Sequence, residues 1–214
     1  MALFYSGALS FNVDSNSPKS DTLTARQFLT ASLQEHLHTL QALIANCLPE
    51  IQRAGEMLCN TLSDSKKILI CGNGGSAADA QHIAAELVGR YEKQRQSWPA
   101  IALTTDTSAL TALSNDFGYE EVFSRQVAGL ANAGDLLIAI STSGKSANVL
   151  RAAEKARELG CPVVGLTGQN GEPLASLCDV LVAIPSTRTS RVQEAHITVG
   201  HLWCEMVDQM SDTL

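Results

Sequence analysis

The sequence predicts an α/β fold, a central five-stranded parallel sheet flanked by helices, with additional N-terminal helices. Three observations carry this. From about residue 65 onward, short apolar runs alternate with helical patterns, the arrangement of successive strand–helix–strand units. The runs are continuously apolar, as expected of strands covered on both faces. Two of them pass directly into loops rich in glycine or hydroxyl groups, and each loop opens a helix.

Taken in order, residues 1–21 contain Asn12, Asp14, Asn16, Ser17 and Pro18 and read as a mobile arm. Met1–Ser6 has neither a positive n-region nor a proper apolar core, so no signal peptide is expected. Residues 22–214 read as one domain that includes a helical extension. The extension, 22–64, reads as two helices broken near Pro49. Leu29, Leu33, Leu37, Leu40 and Ile44 form the apolar stripe of the first piece. That stripe must pack on the core or on another subunit, and a subunit bundle is favoured. Strands are expected at about 67–71, 100–103, 135–140, 162–166 and 179–184. Helices are expected at about 77–89, 107–115, 120–131, 146–158, 172–177 and 190–211.

Charge and composition exclude several function classes. A net charge of −7 gives no basic footprint for nucleic acid. No apolar run is long enough to span a bilayer. The six cysteines are scattered without a C-x-x-C pair, so they read as buried free thiols of a cytoplasmic protein.

The chemistry concentrates in three places. The first is Cys71-Gly72-Asn73-Gly74-Gly75-Ser76, between the first strand and its helix. Glycines there let the backbone turn and approach a ligand, and the helix N-terminus favours an anion. The second is Ser141-Thr142-Ser143-Gly144-Lys145-Ser146. One serine would serve as a helix cap, and four hydroxyls in six residues exceed that need. Two such loops at strand ends suggest a phosphorylated ligand. The third is a set of possible metal ligands or acid–base groups. His82 and Glu86, four apart, share one helix face. Seen alone they are as well explained as a surface pair. Gln193 and His201 are eight apart on the last helix and can face one site. Two imidazoles, a carboxylate and an amide oxygen suit a zinc-like ion. His196 points elsewhere and reads as a hydrogen-bonded packing residue. Trp98 and Trp203 read as packing residues, and His36 and His38 as solvent or interface residues. Asn115-Asp116, before Phe117-Gly118, reads as a turn.

Four blocks carry a family resemblance: CGNGGSAADAQHIAAELVGRY, NDFGYEEVFSRQV, AISTSGKSANVLRAA and RVQEAHITVGH. Together they resemble the sugar-isomerase (SIS) domain, and within it the phosphoheptose isomerases, over about residues 25–212. The resemblance implies a three-layer SIS-type sandwich and a zinc-dependent homotetramer with active sites at subunit interfaces. It implies isomerisation of D-sedoheptulose 7-phosphate to D-glycero-D-manno-heptose 7-phosphate, a precursor for surface glycans. It places the metal ligands on His82, Glu86, Gln193 and His201, and the catalytic pair on Glu86 and His201. Carbohydrate and phosphate contacts fall on Asn73, Gly74, Gly75, Ser76, Asn115, Asp116, Ser141, Thr142, Ser143 and Ser146, with Glu86 and Gln193. Ala77-Ala78 stands where some members have His-Cys, and Ser190 where some carry an acidic residue, which bears on fine substrate contacts. Two other readings follow from the same resemblance. One is a SIS-domain scaffold that binds the bacterial replication initiator. The other is an isomerase or sensor of another sugar phosphate. Glu86 and His201, replaced in the scaffold family, favour the enzyme.

Overall fold

The computed structural model describes residues 24–211, and the arm expected at 1–21 lies outside the described residues. The chain divides into two compact units, Met1–Gln34 and Glu35–Leu214. The described part of the first unit is the beginning of helix α1 (Ala25–Ser63). It opens with a capping box. Thr24 Oγ1 accepts the Gln27 N–H at 3.3 Å, and Gln27 Oε1 accepts the Thr24 N–H at 2.9 Å. Phe28, Leu29 and Leu33 are exposed.

The second unit is built on a five-stranded, fully parallel sheet, as the sequence predicts. Its strands are β1 (Ile68–Cys71), β2 (Ala100–Ala102), β3 (Leu136–Ser141), β4 (Val163–Thr167) and β5 (Val180–Ala183). Their order is β2-β1-β3-β4-β5. Strand alternation divides the side chains between two cores. Ile68 and Ile70 join Leu136, Ile138, Val164 and Val182 on one face. Leu69 and Cys71 join Leu137, Ala139 and Val163 on the other. The first face is covered by α1 through Leu43, Cys47, Ile51, Leu58 and Leu62, by α2 (Gly75–Val88), and by α6 (Thr189–Met210). The second is covered by α3 (Thr107–Phe117), α4 (Ser124–Leu130) and α5 (Ala147–Glu158). Trp203 is fully buried, and its indole N–H donates to the Ile51 carbonyl at 2.9 Å, so it packs as expected.

Four expectations need correction. The break near Pro49 is absent: α1 runs through it as a single helix. Proline removes one helical hydrogen bond. Cys47 and Ile51 on either side are buried in the first core and hold both halves in line. The helix expected at 120–131 is a 3-10 turn (Tyr119–Glu121) followed by α4. Ser124 Oγ donates to the Glu121 carbonyl at 3.0 Å, occupying an acceptor that a continuous helix would use for backbone. The helix at 172–177 is only a 3-10 turn, Leu174–Leu177, because so short a run behind a proline does not offset the cost of nucleating an α-helix. Asn115 and Asp116 lie inside the last turn of α3 rather than after it, and the helix stops at Gly118, with φ of 91°.

From β1 the chain moves outward to β2 and then returns across β1 to start β3. The connections therefore diverge between β1 and β3. In a parallel sheet the carboxyl ends of such a pair border a crevice, and both loops singled out in the sequence lie there.

Candidate active site

The first loop follows the buried strand β1 and ends at Gly75, the first residue of α2. Gly74 adopts φ of 58°, a conformation that favours glycine. The second loop joins Ser141 to Ala147 at the start of α5. Neither α2 nor α5 has a side-chain N-cap. The Ser146 hydroxyl meets Ser141 Oγ at 3.0 Å instead of capping α5, and Ser143 Oγ accepts the Lys145 N–H at 3.2 Å. Two helix starts in one crevice therefore keep donors for an anion. A reciprocal amide pair locks the two loops together. Asn73 Nδ2 donates to Asn148 Oδ1 at 2.8 Å, and Asn148 Nδ2 donates back to Asn73 Oδ1 at 2.9 Å. The Tyr119 hydroxyl adds a third bond, to Asn73 Oδ1 at 2.9 Å. Beside the second loop, a cavity of about 220 Å³ is lined by polar residues, including Thr142, Ser143, Lys145, Gln169 and Thr187.

Along α2 from the first loop, His82 and Glu86 meet His201 of α6, and their donor atoms all lie within 4.8 Å of one another. His82 Nε2 is 3.1 Å from Glu86 Oε1 and 3.4 Å from His201 Nε2. Ligands at ~2.0–2.1 Å from a tetrahedral zinc stand roughly 3.3 Å apart, so these two separations are compatible with ligands sharing one ion. Two imidazole nitrogens and a carboxylate oxygen are also the donor types zinc takes. The residues present therefore fit such an ion. The two imidazoles meet edge to face, with ring centroids 4.9 Å apart. Tyr91 stacks on His201 at 5.5 Å.

Gln193 lies near the start of α6, beside the start of α2. Its carboxamide lies against Gly75, so close that a Cβ at position 75 would meet Nε2 at 2.3 Å. Helices α2 and α6 run side by side. Gln193 is matched to Gly75 near their starts, and His201 to His82 about two turns further on. Asn115 and Asp116 are exposed and bond to each other at 2.9 Å. His196 is fully buried, with Nε2 3.1 Å from the Thr167 carbonyl, the packing role expected of it. Burial lowers its pKa to about 4, which keeps the ring neutral. His36 is half-buried and meets Glu194 at 2.7 Å, whereas His38 is exposed.

Three features escaped the sequence reading. Asn148 and Tyr119 sit within the quoted blocks, but nothing in their spacing marks them as partners of Asn73. Asp79, one turn before His82, has a buried Oδ2 with no hydrogen-bond partner. Burial raises its pKa to about 6 despite the nearby His82. A carboxylate three residues from a histidine on a helix is a recognisable spacing, and it is the signal that could have found Asp79.

The fold and the two loops define the class. The family described as SIS domain matches residues 33–168. Among curated relatives, phosphoheptose isomerase from a Nitratiruptor species is 52% identical over 183 residues, covering 86% of this chain and 98% of that protein. Two solved structures share the fold across 87% of this chain and all of theirs. Phosphoheptose isomerase from Neisseria gonorrhoeae matches with a TM-score of 0.83 at 44% identity. That from Francisella tularensis matches with a TM-score of 0.85 at 34% identity. The chain belongs to the phosphoheptose isomerase family of SIS-domain proteins.

Proposed function

We propose that this protein is an aldose–ketose isomerase that converts D-sedoheptulose 7-phosphate to D-glycero-D-manno-heptose 7-phosphate. The observation that carries the reading is the arrangement on α2. This helix starts at a phosphate-type loop and presents His82 and Glu86, about two and three turns on, to His201. Ser141, Thr142, Ser143 and Ser146, with the start of α5, take the phosphate. Asn73, Gly74, Gly75 and Ser76 border the sugar. The remote phosphate then positions C1 and C2 of the open chain.

The reaction moves one proton from C1 to C2 and one from the C1 oxygen to the C2 oxygen. Glu86 removes the C1 proton and returns it to C2. His201 moves the proton between the two oxygens. A bound zinc ion, held by His82, Glu86 and His201 with Gln193 as fourth donor, would polarise the carbonyl and stabilise enediolate charge. Asp79, one turn before His82 on α2, lies near enough to feel the His82 charge.

We further propose a homotetramer in which residues 22–214 act as one SIS domain. Leu37, Ile44 and Leu48 continue the exposed apolar stripe of α1 and are 60%, 66% and 51% exposed. A face of that kind calls for a partner, and a second copy of α1 matches it. Asn115 and Asp116, exposed and turned to each other, would complete a neighbour's site. A cytoplasmic location accords with six free cysteines and with the lack, among the described residues, of a helix able to cross a membrane.

The test is a coupled assay with sedoheptulose 7-phosphate on native, chelated and zinc-restored protein, together with Glu86→Gln. Turnover should fall with chelation and return with zinc. Glu86→Gln should lower kcat by ~10²–10⁴. No turnover in any wild-type sample would overturn the activity. Full turnover by Glu86→Gln would remove Glu86 as the base.

A further inference from the structure

Outside the ligand cluster, α2 and α6 are joined by an ion pair that water barely reaches. Arg95 Nε donates to Asp208 Oδ1 at 2.8 Å, and each side chain is only 3% exposed. A pair this buried is costly to desolvate unless its remaining polar atoms find partners. Here they do. Asp208 Oδ2 accepts the backbone N–H groups of Glu92 and Lys93, both at 2.9 Å. Burial alone would raise the Asp208 pKa, but the Lys93 amide, the Arg95 guanidinium and the Glu92 amide outweigh it and hold the carboxyl below its usual range.

The guanidinium reaches the site from behind. Arg95 Nη2 donates to the Glu86 carbonyl at 2.8 Å, and Nη1 to the Leu87 carbonyl at 2.9 Å. These are among the last carbonyls of α2, which have no donor within the helix, and the last turn of α2 contains no basic residue of its own. Arg95 supplies that donor from a separate segment. Asp208 lies about two turns beyond His201 on α6. The ion pair therefore ties the backbone of Glu86 to the helix that carries His201. The loop gathered onto Asp208 also holds Tyr91, whose ring stacks on His201.

We propose that the Arg95–Asp208 pair positions the isomerase site. It fixes the end of α2, and Tyr91, against α6, so that Glu86 and His82 stay in ligand-sharing distance of His201. Neither Arg95 nor Asp208 touches the reacting atoms, so both are positioning residues. This inference rests on the function proposed above.

The test compares Arg95→Lys with wild type in the full chain. A lysine retains the charge but has no planar fork to reach both the carboxylate and two carbonyls. Zinc affinity is measured by competition with a chromophoric chelator, and kcat and KM are measured with sedoheptulose 7-phosphate. Arg95→Lys should bind zinc about 10-fold more weakly and lose about 10-fold or more in kcat, with KM changed less than about 2-fold. Val127→Ala, in the buried opposite face of the sheet, is the control for lost stability. It should lower the melting temperature while zinc affinity and kcat hold. Should Arg95→Lys fail to fold, the apolar double variant Arg95→Met/Asp208→Leu takes its place, with the same losses expected. Wild-type zinc affinity and kcat in the variant would overturn the inference, as would equal losses in Val127→Ala. Weakened zinc binding in a protein whose wild type turns over no heptose phosphate would sink the functional reading and leave the positioning role standing. If wild type turns over without binding zinc, the split between kcat and KM decides. Neither zinc binding nor turnover in wild type would overturn both.

Discussion

Replacing Gly75 with alanine separates the site from the fold. A Cβ at this position would meet Gln193 Nε2 at 2.3 Å, and ordinary contact begins near 3.4 Å, so the carboxamide must retreat by about 1.1 Å. The atom met is the far end of a flexible side chain, so the backbone is not forced to move. Gly75 is the first residue of α2 and its φ is not positive, so alanine suits the position. Alanine should stabilise the helix by ~0.5–1 kcal/mol, raising Tm by about 2 °C in a domain of this size. Activity should move the other way. A displacement of about 1 Å in a positioning group costs up to ~10²-fold in rate, or ~2.7 kcal/mol of barrier. The measurements are the coupled isomerase assay and thermal unfolding of Gly75→Ala, Gln193→Ala and the double variant. If the loss passes through Gln193, the double variant is no slower than Gln193→Ala alone. Activity within about 3-fold of wild type would refute the reasoning about Gln193. A fall in Tm would refute the reasoning about the side chain yielding.

Gly144→Ala should behave oppositely. Its φ is 69° and the new Cβ would lie 2.3 Å from the Gly171 carbonyl, which is backbone and cannot swing away, so Tm should fall by about 5 °C for a loss of ~2 kcal/mol or more. The pair Leu37→Glu/Ile44→Glu should break the assembly into smaller species by light scattering, since each subunit loses burial worth ~1.5–3 kcal/mol per residue; a persisting tetramer would remove α1 from the interface. His196→Gln should flatten the acid limb of stability. The folded ring stays neutral down to pH about 4, whereas the unfolded ring takes a proton near 6.5. Wild type should therefore lose up to ~3 kcal/mol as pH falls through that window and no more below it. Urea unfolding at pH 7 and 4.5 measures the difference, and equal slopes in both proteins would exclude His196 as the cause.

The sheet was legible because continuous apolar runs such as Leu136–Ile140 admit few other structures when helical patterns separate them. The loops were legible because glycines and hydroxyls cluster at the strand ends. Pro49 misled, since a local breaking tendency is outweighed by packing on both sides, which no local pattern reveals. The 120–131 segment misled because Ser124 claims a carbonyl that the helical pattern assigns to backbone. In the site, His82 and Glu86 share a helix face that periodicity gives directly. Their meeting with His201 depends on how α2 lies beside α6, which local sequence leaves open and the family resemblance implied. Asn148 and Tyr119 were missed because they act only through Asn73, and Arg95 and Asp208 because they are more than a hundred residues apart.

The layer that contains α1, α2 and α6 draws on both ends of the sequence, and the Trp203–Ile51 hydrogen bond spans 152 residues. On the ribosome, one face of the sheet stays only partly covered, by α1 and α2, until the last helix has emerged. Nascent chains then leave open the part of that apolar layer which Val192, Val199, Trp203 and Val207 of α6 close, within reach of a chaperone or neighbouring chain. A stop codon ahead of Thr189 would yield an aggregating polypeptide rather than a smaller soluble domain.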